Sequence, residues 1–338
     1  SNSHGEIVPG YATYLLDLGY RVVVFLTPDR IGEGLFSRMA HADLHIANLT
    51  QPQIRRLMRN DALSRAAGIM VTTLGKLPKT ANRRPNLDAV LGAVPPIILL
   101  VDHDARAAID HGVWDPQTIT LARLNYRNAN SQIVNPHVFG AVKDLKSKTG
   151  RTVFLMVGAA QAKRRNQDIV FDAALRLVAD GQTNFQIRLV GKKGRMTIPP
   201  TLINHVIELG RVDFTTLYQE VEACDFILTA FQGDNDNHAF YRTTGTSGSF
   251  QLCYGFGRPC IVQKRFVAQT ALTAGNSLIY DDDAQMYNAI LRGITMTAAD
   301  YNTLQTRMRN DAAVLRGQSL ANLRALIHDS YHPGHPVF

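Results

Sequence analysis

Short apolar runs alternate with longer amphipathic stretches almost from one end of this chain to the other, and a parallel α/β layer structure is the arrangement that buries such a pattern. In the first half, residues 21–26, 68–72, 97–102 and 132–134 have the length and branching of buried strands, while 8–18 and 51–60 have helical period and length. A second series starts near Thr152, with strands expected at 153–157, 186–190, 226–229 and 259–262 and helices at 167–179, 214–223 and 248–255. The polar stretch 143–151 between the two series has the composition of a linker. The expectation is two Rossmann-like halves, residues 1–145 and 151–315, with a C-terminal helix and tail over 316–338 that could cross back to the first half. Ligands in such folds sit beyond the carboxyl ends of the strands, so the cleft between two such halves is the expected site. The first half opens on a loop and a helix, whereas a doubly wound domain starts with a strand feeding such a loop. Either the chain starts just after that strand, or the strands pair differently here.

Of the 338 residues, 45% are apolar and 19% charged, which suits two packed cores better than disorder. No apolar run reaches the roughly eighteen residues of a transmembrane helix. The first six residues lack the basic-then-apolar order of a signal peptide. Cys224, Cys253 and Cys260 show no zinc-like spacing, and an odd count argues against a disulfide framework, so a reducing, cytoplasmic setting is expected. The net charge of +8 calls for an anionic partner. Its clusters (Arg55-Arg56, Arg83-Arg84, Lys163 to Arg165, Lys192-Lys193) lack interleaved aromatics, which disfavours nucleic acid. A phosphate-bearing substrate is expected instead, with peripheral contact to the inner, anionic face of a membrane as a further expectation. Two histidines in the 331–338 tail read as part of a loose terminus rather than a metal site.

Three segments of the second half carry the chemistry. In the first, 153–168, a strand ends at Gly158, and Lys163, Arg164 and Arg165 precede the next helix. Cations at a helix start are disfavoured unless an anion offsets them, so a diphosphate or a solvated helix start are the two readings. In the second, 206–225, a loop at Gly210, Arg211, Val212 and Asp213 feeds a helix, and its backbone could read a nucleobase edge or be an ordinary connection. The third, 241–262, runs from Tyr241 through Gly245, Thr246, Ser247, Gly248 and Ser249 into a helix that stops at Gly255 or Gly257. Five small residues in a row exceed what one helix cap requires, which favours an anion nest.

In their order and spacing these segments resemble the C-terminal domain of GT-B glycosyltransferases that use nucleotide-diphosphate sugars. The resemblance covers most of residues 150–290. It implies an α/β fold of two Rossmann-like domains facing across a cleft. It also implies a donor site at Gly158, Lys163, Arg164, Arg165, Gly210, Val212, Tyr241, Thr246, Ser247, Gly248 and Ser249, no cofactor, and no metal. The large retaining family with this layout carries two glutamates eight positions apart, whereas no glutamate follows Glu222 here. Thr243 and Thr244 stand near the first position and Gln251 and Leu252 near the second, so the stereochemical outcome stays open. The run Asp281-Asp282-Asp283 reads as a helix cap rather than a metal motif.

In the first half, His4 and Glu6 lie in the opening loop, and Asp102, His103 and Asp104 follow an apolar strand. These are the candidates for acid–base work toward an acceptor hydroxyl, against the alternatives of a helix cap and a strand-end turn. His137, after Asn135-Pro136, is a weaker candidate. The expected activity is sugar transfer from a nucleotide-sugar donor to a glycan, lipid-linked or small-molecule acceptor, as in bacterial cell-surface polysaccharide synthesis. A non-catalytic nucleotide-sugar-binding or partner subunit is the alternative, and a sugar-nucleotide epimerase is a more distant one.

Overall fold

The structure is a computed structural model, and it describes residues 5–60, 63, 65–73, 77, 79–80, 86–87, 89, 91–92, 96–159, 165–192 and 197–331. Contacts divide the chain into two compact units. One holds Ser1–Ala141, Thr243–Thr246 and Leu315–Phe338; the other holds Val142–Arg242 and Ser247–Val314.

The first unit opens on a 3-10 turn, Gly5–Ile7, that runs into α1 (Val8–Asp17) with Pro9 in the first turn, where its missing N–H costs nothing. It continues through β1 (Val22–Leu26), α2 (Pro28–Gly32), β2 (Leu44–Asn48), α3 (Gln51–Met58), β3 (Gly68–Val71), β4 (Ile97–Leu100), α4 (Arg106–Asp110), β5 (Ile119–Thr120) and β6 (Gln132–Ile133). Strands pair in parallel as β1 with β2, β3 with β4 and β5 with β6, and a parallel bridge from Val101 to Ile119 joins β4 to β5. Strand β2 was not expected from sequence. Its alternation of Leu, His, Ile, Ala and Asn is too weak a period to read, and register with β1 creates it. The core gathers Tyr11 and Tyr14 of α1, Ile97 and Leu99 of β4, and Leu323, Leu326 and Ile327 near the C-terminus. The Tyr11 hydroxyl donates to Val134 O at 3.1 Å and that of Tyr14 to Asn135 O at 2.6 Å, so both buried phenols are satisfied. A Cβ on Gly10 would lie 2.3 Å from Pro136 O, which fixes how closely α1 rests on that backbone.

The second unit contains β7 (Thr152–Val157), α5 (Gln167–Ala179), β8 (Phe185–Val190), β9 (Val206–Gly210), α6 (Phe214–Ala223), β10 (Phe226–Leu228), α7 (Phe240–Thr243), α8 (Gly248–Phe256), β11 (Cys260–Gln263), β12 (Leu278–Tyr280) and α9 (Met286–Thr295). Among the described residues its six strands form one all-parallel sheet in the order β9-β8-β7-β10-β11-β12, which is 3-2-1-4-5-6 by position in the unit. Such a sheet is covered on both faces, which is why β7, β10 and β11 are continuous apolar runs with almost no exposure. Phe154, Phe226, Val170, Ala174, Met286 and Ile290 pack in its core. Local sequence starts the helices: the side chain of Asn166 caps α5, Asp213 caps α6 and Ser247 caps α8, while Gly257 at φ 60° ends α8.

The stretch with linker composition is fastened to the second unit. Lys146 Nζ lies 2.7 Å from Asp225 Oδ1, Lys148 donates to Ile294 O at 3.0 Å, and Arg151 Nε donates to Phe185 O at 2.6 Å. The final helix, α10 (Ala298–Tyr331), begins well before residue 316 and contributes to both units, Tyr301 and Met308 to one and Leu323 and Ile327 to the other. Residues 332–338 of the expected tail lie outside the described residues.

Candidate functional site

The strand order of the second unit reverses between β7 and β10, and the carboxyl ends of those two strands are where a doubly wound sheet opens to a ligand. Gly158, Gly191 and Gly210 end three adjacent strands, all with positive φ. Gly158 N donates to Val190 O and Gly191 N to Gly210 O, both at 2.8 Å. A Cβ on Gly191 would lie 2.0 Å from Gly158 O, so no side chain fits where the turns touch. After β10, Ala230 adopts φ 51°, unusual for a residue with a Cβ, and its carbonyl accepts from Asn166 N at 3.0 Å.

Arg165 lies at the centre of this edge, with only 6% of its surface exposed. One guanidinium nitrogen donates to Ser247 Oγ and Ser249 Oγ, each at 3.1 Å, and Nε donates to Val157 O at 3.2 Å. The guanidinium carbon lies 4.5 Å from the Phe231 ring centre and 5.8 Å from that of Tyr241. Phe231 in turn lies against Tyr241, tilted by 32° with ring centres 4.4 Å apart, and contacts Phe266 at 5.0 Å. The cation therefore ties the end of β7 to the first turn of α8, against an aromatic wall. Ser247 Oγ accepts from both Arg165 and Ser249 N, which leaves its own hydrogen to donate. Gly248, the first residue of α8, is exposed, so the positive end of the helix reaches the surface with a buried cation behind it.

Of the other donor-site candidates, Lys163 and Arg164 lie outside the described residues. Gly210, expected to open a loop, is the last residue of β9, and Val212 is half-buried in the turn before α6. Tyr241 is buried in the aromatic wall. Thr246 belongs to the first unit, one peptide bond before Ser247. Sequence reasoning missed Phe231 and Ala230; their only signal is that they directly follow a buried strand. In the run Asp281-Asp282-Asp283, Asp282 caps the following turn as expected, and the Asp283 carboxylate accepts from Gln232 Nε2 at 2.6 Å and Gln263 Nε2 at 3.2 Å. Gln251 on α8 is 1% exposed, and neither of its amide atoms has a hydrogen-bond partner among the described residues.

The first unit assembles a second polar group. Asp104 Oδ1 accepts from the Thr244 hydroxyl at 2.9 Å and from Arg106 N at 3.1 Å, and a guanidinium nitrogen of Arg106 donates to the Thr243 hydroxyl at 3.2 Å. Asp102 Oδ1 accepts from Asp104 N at 3.1 Å, and His103 Nε2 lies 2.8 Å from Thr72 O. Burial pushes the Asp102 carboxyl above the usual carboxylate range. Glu6 sits half-buried in the opening turn, and His4 lies outside the described residues. His137 is buried, with Nδ1 3.0 Å from the Asn135 side-chain oxygen.

Compared by sequence, the chain matches no family model and no curated protein. Compared by structure, it is similar to AviGT4, a glycosyltransferase involved in avilamycin A biosynthesis, with a TM-score of 0.52 and 13% identity over 96% of this chain and 89% of that one. The chain has the GT-B glycosyltransferase fold. Similarity extends to WaaG, a glycosyltransferase involved in lipopolysaccharide biosynthesis, at TM-score 0.49 and 11% identity over 94% of this chain and 93% of that one. It extends also to the C-terminal domain of a group 1 glycosyl transferase, LpcC from Francisella tularensis, at TM-score 0.37 and 10% identity over 49% of this chain and 86% of that one.

Of the residues near the expected glutamate positions, the Thr244 hydroxyl donates to Asp104 and the Thr243 hydroxyl accepts from Arg106, while Gln251 and Leu252 are buried on α8. Among the described residues no helix is long and apolar enough to cross a membrane.

Proposed function

We propose that this chain is a glycosyltransferase that moves a sugar from a nucleotide-diphosphate donor to an acceptor hydroxyl. The observation that carries the reading is the convergence of the α8 N-terminus, the Ser247 hydroxyl and the buried Arg165 cation at the β7/β10 switch point. Developing negative charge on a departing diphosphate is what such fixed donors stabilise. In the reaction the bond from the sugar's anomeric carbon to the diphosphate breaks, the acceptor oxygen bonds that carbon, and the acceptor proton passes to a base. Gly158, Lys163, Arg164, Tyr241, Thr246, Gly248 and Ser249 are the proposed surroundings of the diphosphate, and Gly210 and Val212 those of the base. Arg165 faces protein acceptors, which supports a positioning role for it. Glu6, His4, Asp102, His103 and Asp104 are the candidates for receiving the proton. A glycan or lipid-linked acceptor in polysaccharide synthesis, metal-independent chemistry and contact with an anionic membrane face extend this proposal.

The test is a thermal-shift screen with nucleoside diphosphates and their sugars, followed by donor-consumption assays with acceptors. Stabilisation by a nucleotide sugar with turnover is the expected result, and no stabilisation by any nucleotide overturns the reading. The absence of any glutamate after Glu222, where the retaining family carries a pair, favours a second reading as a non-catalytic nucleotide-sugar-binding subunit. Tight donor binding without turnover would select it.

A further inference from the structure

Three consecutive residues after β10 hold the two residues that precede α5. Ala230 O accepts from Asn166 N at 3.0 Å, the Phe231 ring centre lies 4.5 Å from the Arg165 guanidinium carbon, and Gln232 Oε1 accepts from Asn166 Nδ2. Ala230 makes its contact at φ 51°, a strained conformation that persists only where the surroundings enforce it. One support comes from the far end of the sheet. Asp283 opens the turn after β12; its Oδ2 accepts from Gln232 Nε2 at 2.6 Å and its Oδ1 from Gln263 Nε2 at 3.2 Å. Gln263 is the last residue of β11 and is buried, so the carboxylate is itself anchored to the sheet.

The chemistry of these groups gives the chain of bonds a direction. An ionised carboxylate only accepts, so each amide that meets Asp283 must present its NH2. Gln232 therefore turns its oxygen toward Asn166, and Asn166 must present its own NH2 in return. That leaves Asn166 Oδ1 for Asp168 N, at 3.0 Å, which is the bond that caps α5. Without the carboxylate, both amides could turn over together, and the Asn166 oxygen would leave the helix end.

We infer that Asp283 is a positioning residue for the start of α5: acting through Gln232, it orients the Asn166 cap and holds the 230–232 segment against Arg165. The consequence for donor binding rests on the proposed sugar transfer, because Arg165 stands behind the α8 N-terminus. The relay itself stands on the contacts alone.

The experiment compares wild type, Asp283→Ala, Asn166→Asp and the double variant, all in the full chain. Aspartate at 166 still accepts from Asp168 N, but it cannot donate to Gln232 Oε1 and repels it. Removing Asp283 in that background frees the Gln232 amide to turn over and donate to the new carboxylate. Amide exchange is read over residues 167–172. Asp283→Ala should speed it about threefold to tenfold when residue 166 is Asn. In the Asn166→Asp background the same change should slow it, a reversal of sign that marks direct coupling. Affinity for uridine, guanosine and adenosine diphosphates is measured on the same four proteins, and whichever one wild type binds should weaken and recover in the same order.

Unchanged exchange in Asp283→Ala overturns the inference. So does an equal acceleration in both backgrounds, which is what general support of β12 would produce. Exchange in the expected order with constant nucleotide affinity also overturns the positioning role, leaving Asp283 a helix-cap support only. A wild-type protein that binds none of these nucleotides counts against the proposed sugar transfer, and exchange alone then decides the relay.

Discussion

Replacing Arg165 by Ala separates two ways in which a cation can serve an anion site. The side chain donates to Val157 O, Ser247 Oγ and Ser249 Oγ and lies against Phe231. Truncation leaves Ser249 Oγ short of a donor, at about 1–3 kcal/mol, while Ser247 Oγ keeps Ser249 N and Val157 O keeps the Ser249 hydroxyl, and it removes a desolvated cation–π contact of about 2 kcal/mol. The offsetting gain is that an ion no longer has to be held out of water, an expense that effectively amounts to several kcal/mol. The net expectation is a loss of about 1–3 kcal/mol in the second unit, a measurable share of a domain's usual 5–15 kcal/mol. Arg165→Lys keeps the charge but not the fork, and should recover only part of the loss. Urea denaturation followed by tryptophan-independent far-UV signal measures the change, and nucleotide-sugar affinity is measured on whatever fraction remains folded. If Arg165→Ala unfolds at the wild-type midpoint while donor affinity falls a hundredfold, the guanidinium reaches the ligand directly and the bracing role is refuted.

Four further outcomes follow from the same geometry. Gln251→Met keeps the shape of a buried side chain and removes two unpartnered polar atoms, so stability should rise by about 1–2 kcal/mol in thermal denaturation. Gly191→Ala puts a Cβ against Gly158 O at φ 147° and should cost about 2–4 kcal/mol while weakening nucleotide binding, read by melting and by titration. Cys224, Cys253 and Cys260 are buried, and burial pushes the Cys224 thiol up to about 12; native protein at pH 8 should leave all three unmodified by iodoacetamide over hours, with full reaction in guanidinium. Burial raises the Asp102 carboxyl, so the folded state holds its proton over a window where the unfolded state has lost it, and its contribution to stability falls as pH rises through that window. Asp102→Asn, which can still accept from Asp104 N, should therefore gain more stability relative to wild type at pH 7 than at pH 4, by chemical denaturation at the two pH values.

The alternation of apolar runs was enough to place the strands β7, β8, β10 and β11 and the helices α5, α6 and α8 within a residue or two, because burial on both faces of a parallel sheet writes itself into consecutive positions. Helix starts were equally local, since Asn166, Asp213 and Ser247 each bond an amide two or three residues ahead. The small-residue run at 245–249 was legible as the start of α8 for the same reason. Strands β2 and β9 were not, because β2 is half-exposed and β9 shares its residues with a turn signal at Gly210.

What the sequence determined by itself was thus a set of elements and the fold class they imply, as periodicity and capping act over a few residues. Only the tertiary structure decided where side chains point. Arg165 turns inward because Ser247 and Ser249, 82 and 84 residues away, meet it there. Thr244 joins the first unit because Asp104, 140 residues earlier, accepts its hydroxyl. Such contacts depend on chain distances over which no pattern in the sequence carries information about direction, and packing alone selects them.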